Sequence, residues 1–207
     1  LGDVYKRQQL YMKKNKKNTV YTVIISAVIV IILLFFLKGS IYRMVVKYED
    51  AGGRKSYDIK DEKLASYINQ SLPNDESLDA NIDIETIIDI SLDITGDALD
   101  FSAMYNDSEP HKAFENGGAN HVGYASFTAA VGNYLIKRFG MDKEWEAKPK
   151  KGKLYLFGNN MHKNAKDGWF KDHDFVVFRN KNTKEEIYVD PTAFDYFGTR
   201  RVDKREK

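Results

Sequence analysis

The sequence predicts an α+β fold, with helices packed on an antiparallel sheet, behind one N-terminal transmembrane helix. Three observations carry that expectation. Thr19 to Leu37 is an almost unbroken run of Ile, Val, Leu and Phe, about 19 residues and long enough to cross a bilayer core as a helix. Two stretches between Asp61 and Leu99 place apolar residues at the three- and four-residue spacing of amphipathic helices. Leu154 to Val189, by contrast, carries short aromatic and β-branched runs divided by turn-forming residues.

Composition narrows the function. At 207 residues the chain can build one well-formed core plus an appendage. A formal charge of +2 gives no nucleic-acid footprint. Charge is nevertheless segregated: Lys and Arg are absent from Leu64 to Pro110, where Asp and Glu recur among regular Ile and Leu. That pattern reads as a solvated helix face. With no cysteine in the chain, disulfides, cysteine zinc sites and a thiol nucleophile are all excluded.

The elements follow in order. Residues 1–11, which include Asp3-Val4-Tyr5-Lys6-Arg7-Gln8, resemble translated adapter sequence and stay outside the fold reasoning, with Met12 the expected start. Residues 12–40 combine a basic flank with the apolar span. More basic residues precede the span than directly follow it, which favours a cytoplasmic N-terminus and an extracytoplasmic C-terminal domain in the cell membrane. A cleaved signal peptide is the rival reading, but the run is long and no Ala-x-Ala-like site follows it.

Residues 41–60 are expected to form a linker, broken at Ala51-Gly52-Gly53, although Ile41 to Asp50 can also extend the helix or start a strand. The main domain is expected over 61–200. Its helices are Asp61–Ser71, Asp83 to about Leu99, and His121–Phe139, whose Gly123, Ala125, Ala129, Ala130 and Gly132 let it lie close on a sheet. Asn74–Ala80, Phe101–Glu115, Met141–Gly152 and Gly158–Gly168 are expected as loops. Leu154–Phe157, Phe175–Arg179 and Ile187–Val189 are expected as strands, the last two joined by a turn at Asn180–Lys184. Residues 201–207 read as a charged, frayed tail.

Three short segments hold the chemistry. Asn116 to Gly123 is a glycine-rich turn opening a helix, which puts His121 at a helix N-terminus. Asp172-His173-Asp174 starts a strand, and Tyr188-Val189-Asp190-Pro191-Thr192 ends one in a carboxylate. In this order the three resemble the transglutaminase-like superfamily of the papain-type cysteine fold, over roughly Asp83 to Phe197. The family's pattern is close to Cys-Val-Gly-Tyr-Ala; here the cysteine position is His121.

The resemblance implies His173 as the base, Asp190 as its orienter, and Asn120, Tyr124 and Trp169 as candidates for the substrate groove, Tyr124 also suiting a core position. In the family arrangement the helix dipole and the imidazolium favour a thiolate. An imidazole at position 121 lacks that chemistry, and the same dipole disfavours its cation. Ser126 lies more than a helical turn away and does not replace it.

The expected function is therefore a degenerate, non-catalytic member that binds a peptide, protein or cell-wall component, with no cofactor. The alternative is an active hydrolase or acyltransferase using His173 and Asp190 with another nucleophile or a metal-bound water. A metal would need His121, His173 and a third ligand from His162 or Asp174. A purely structural membrane partner is a third class.

Overall fold

The computed structural model describes residues 2–73, 82–105, 107–165 and 171–206, with residues 2–5 and 7–18 given as backbone alone. The chain divides into two units, Leu1–Lys38 and Gly39–Lys207. The first consists of helix α1 (Gly2–Val45) up to Lys38. Within α1, Thr19–Val45 is long and apolar enough to cross a membrane, with a mean hydropathy of 3.1. Its apolar side chains, Phe35 and Phe36 among them, are exposed all round, as suits a helix surrounded by an apolar phase.

The second unit opens with the last turns of α1 and passes directly into strand β1 (Val46–Gly53). The interval 41–60, expected as a linker with Ile41 to Asp50 open to helix or strand, supplies both a helix end and a sheet strand. The alternation of Val46 and Tyr48 inward with Lys47 and Glu49 outward explains why. Helix α2 (Glu62–Gln70) is capped by Asp61, whose side chain accepts from the Leu64 amide, and it buries Leu64 and Ile68. Helix α3 (Ile84–Ala98) is capped by Asp83 and buries Ile87, Ile88, Leu92 and Ile94. The expected loop 74–80 lies outside the described residues.

Phe101–Glu115, expected as loop, begins inside the short strand β2 (Asp100–Phe101) and holds most of helix α4 (Pro110–Asn116), started by Pro110 and stopped by Gly117 in the left-handed conformation. Strand β3 (Gly118–Ala119) pairs in parallel with β2. Helix α5 (His121–Arg138) follows, as the sequence predicts, and is buried along most of its length. At Gly132 a Cβ would fall 2.7 Å from the Phe178 ring, so the missing side chain is what brings helix and sheet together.

Strand β4 (Trp145–Leu156) corrects the expected loop at Met141–Gly152. Trp145, Ala147 and Pro149 point inward while Glu146, Lys148 and Lys150 alternate with them. Dense charge on the outer face hid a period of two. Strand β5 (Asn159–Asn160) pairs back on β4, and β6 (His173–Asn180) and β7 (Glu186–Val189) form the expected hairpin. Helix α6 (Pro191–Phe197) and strand β8 (Asp203–Lys204) close the fold.

The sheet runs β7-β6-β4-β1-β8, antiparallel except for the β1–β8 pair. It curls until its ends meet, where the Val202 amide donates to the Tyr188 carbonyl at 2.9 Å. The sheet therefore has two apolar faces. One, including Ala147, Val176, Phe178 and Val189, packs on α5, which in turn packs on α3; the other gathers Val46, Tyr48, Phe175, Val177, Tyr188 and Val202. The tail expected to fray is instead built in. Val202 is buried, Arg201 bonds Glu85 and Asp89, and Arg200 bonds Asp93 on the acidic face of α3.

Candidate functional site

The site forms where the N-terminus of α5 meets the start of β6 and the end of β7. Asn120 is the α5 cap, its side-chain oxygen accepting from the Val122 and Gly123 amides at 3.0 and 3.2 Å. That fixes His121 in the first turn, 6% exposed. Across from it lies His173, opposite Gly152 in the sheet register. The two imidazoles lie nearly parallel, 21° apart in plane and 5.4 Å between ring centres.

Asp190 uses both carboxylate oxygens. Oδ1 accepts from the Thr192 and Ala193 amides at 2.9 and 3.0 Å, capping α6. Oδ2 lies 2.6 Å from His173 Nε2 and accepts from the Tyr48 hydroxyl at 2.5 Å. Four bonds fill the acceptor capacity of a carboxylate. Burial works against the Asp190 charge, but the His173 cation and these donors outweigh it and hold its pKa below the usual range. Burial also works against a charged His173; the adjacent Asp190 reverses that and leaves His173 raised.

His121 behaves oppositely. Burial pushes its pKa down, and the neighbouring His173 adds to the effect. The Asp174 amide donates to His121 Nδ1 at 3.3 Å, which requires a lone pair on that nitrogen and so fits a neutral ring protonated at Nε2. Asp174 itself is fully buried and gripped by Arg54, with Nε and one terminal nitrogen each 2.9 Å from a carboxylate oxygen. Arg54 also reaches Asp172, which Lys151 holds from the other side.

The three residues singled out by order in the sequence, His121, His173 and Asp190, thus come together. Asn120 is buried and engaged as a cap, and Tyr124 is wholly buried with its hydroxyl donating to the Leu99 carbonyl at 2.5 Å, so both are core groups. Trp169 lies outside the described residues.

For a metal, Asp174 is held by Arg54 and is not available as a third ligand, and among the described residues no three His, Asp or Glu side chains gather around a common point. Cavities of about 410 and 680 Å³ border residues 55–61, and neither is lined by His121, His173 or Asp190. Sequence reasoning missed Tyr48 and Arg54, both on or just after the strand taken for a linker. The inward alternation of Val46 and Tyr48 was the available signal.

Chemically, His173 and Asp190 can accept, orient and hold a proton. His121 presents no thiol and no activated hydroxyl to them. No family model, curated protein or solved structure matches this chain.

Proposed function

We propose that this chain is a single-pass membrane protein whose extracytoplasmic domain is of transglutaminase-like type, has lost its nucleophile and binds a peptide, protein or cell-wall component. The observation that carries this reading is the pairing of an intact His173–Asp190 couple with a buried, neutral His121 at the head of α5. When protonated, His173, whose side chain is 17% exposed and whose pKa Asp190 raises, offers a cationic donor to a carbonyl or carboxylate of the ligand. The apolar length of Thr19–Val45 and the lysines ahead of it support the anchor and its orientation.

The test is alkylation of the full chain carrying His121→Cys by iodoacetamide across a pH series. The chain has no other cysteine, so one thiol reports. The expected thiol reacts well below its ordinary pKa of about 8.5 and slows when His173→Ala is added. A thiol of ordinary reactivity, indifferent to His173, overturns the reading.

The fully bonded His173–Asp190 couple also favours a second reading, an active hydrolase or acyltransferase with another nucleophile or a metal-bound water. Turnover of acyl substrates by the unaltered chain, abolished by His173→Ala, distinguishes it from the first.

A further inference from the structure

We propose that Tyr48 is a positioning residue for His173 and that Tyr42 backs it, so that a hydrogen-bond relay links the last turns of α1 to the site. The proposal rests on the reading of His173 as the group that acts. Asp190 Oδ1 is occupied by the amides of α6, so Oδ2 alone serves His173, and Tyr48 shares that oxygen. An ionised carboxylate only accepts. The proton in the Tyr48–Asp190 bond therefore belongs to Tyr48. The Tyr48 oxygen lies 2.6 Å from the Tyr42 hydroxyl and must there be the acceptor, with Tyr42 donating. One polarity satisfies the whole series: Tyr42 to Tyr48 to Asp190, with His173 on the same carboxylate oxygen.

The relay is well enclosed. Tyr48 is fully buried, packed edge-on against Phe175 at 5.4 Å, and both burial and the Asp190 charge keep its phenol protonated. Tyr42 stacks on Phe197 of α6 with ring centres 4.6 Å apart. Beside it, Gly39 admits the Phe197 carbonyl oxygen 3.0 Å from where a Cβ would stand, and Arg43 and Lys47 converge on Asp203 at 2.6 and 2.7 Å. A displacement of these turns therefore acts on the carboxylate that orients His173.

The phenol draws charge from Oδ2, which weakens that oxygen's hold on the imidazolium. The other charged or titrating groups around His173 are Asp172 and Asp174 of its own segment, tied to Arg54 and Lys151, and His121 from α5. None of them is altered by removing the Tyr48 hydroxyl.

The test is histidine-selective NMR on the full chain in detergent micelles, where only four histidines contribute signals. Tyr48→Phe keeps the ring packed on Phe175 and is expected to raise the His173 titration midpoint by roughly half a pH unit. Tyr42→Phe is expected to move it in the same direction by less. An unmoved or lowered midpoint in folded Tyr48→Phe overturns the proposal, because a purely packing role predicts no change. Should Tyr48→Phe not fold, Tyr42→Phe decides, and an unmoved midpoint there overturns the relay. These outcomes are separable from the alkylation test. A reactive Cys at position 121 with an unmoved His173 midpoint removes the relay alone; an ordinary thiol with a moved midpoint removes the functional reading alone.

Discussion

The strand side and the helix side of the site differ in what their residues do for the fold. On the strand side, Asp190 caps α6 with one oxygen and holds His173 and Tyr48 with the other. On the helix side the capping falls to Asn120, and His121 next to it is fixed by burial and by the Asp174 amide. A residue with a capping duty contributes to the fold whether or not any chemistry takes place. The presence of Asp190 is therefore accounted for by the fold, whereas the cap of α5 is complete without His121.

The contrast breaks most sharply at Asp190. Asp190→Ala is expected to lose about 3 kcal/mol or more in urea unfolding, because His173 and the Tyr48 hydroxyl lose their buried partner and α6 loses its cap. A loss below about 1 kcal/mol would mean that the carboxylate has no structural duty and would restore its value as a sign of catalysis. Arg54→Ala comes next, at about 2 kcal/mol. The buried Asp174 carboxyl loses its ion-pair partner, although the arginine side chain is 31% exposed and its position admits water. Asn120→Ala is expected to lower stability by about 1 kcal/mol, the usual value of an N-cap.

His121→Cys should be nearly neutral in stability at pH 7 and visible only in the pH profile. The folded pKa of His173 is raised, so its contribution is complete below about pH 6.5, the ordinary histidine value, and fades as pH rises through the raised value. That of Asp190 is lowered, so its contribution is present above about pH 4 and lost as pH falls through the lowered value. His121 acts against the fold on the acid side. Below about pH 6.5 the unfolded chain binds a proton that the buried ring resists, and stability declines. In His121→Cys that decline below about pH 6.5 is expected to shrink, and a thiolate paired with His173 adds stability on the alkaline side. Unfolding curves at a series of pH values measure both limbs, and an unchanged acid limb would place His121 among the charged groups.

Much of the helical layer was legible in the sequence. Asp61, Asp83 and the Asn-Gly-rich turn before His121 announce helix starts through their own side-chain chemistry, and Gly132 foretells a close approach that Phe178 fulfils. The hairpin of β6 and β7 was legible because its apolar residues are continuous and its turn is polar. The longer strands were legible only in part where their outer faces are charged. Glu146, Lys148 and Lys150 masked the first half of β4, and the Gly52-Gly53 pair made β1 look like a break although Tyr48 is among its most buried residues. The tail failed for a related reason. Arg200 and Arg201 look solvated until the acidic face of α3 is set opposite them.

Those missed strands also govern how the domain is made. β1 leaves α1 first, yet Lys47 must wait for Tyr155 on one side and for Asp203 on the other. During synthesis it stands with two open edges while its inward residues, Val46 and Tyr48, have nothing to cover them. A chain cut before Val202 would leave that edge of β1 open to foreign strands, so the pairing of Val202 to Lys204 closes the sheet against aggregation.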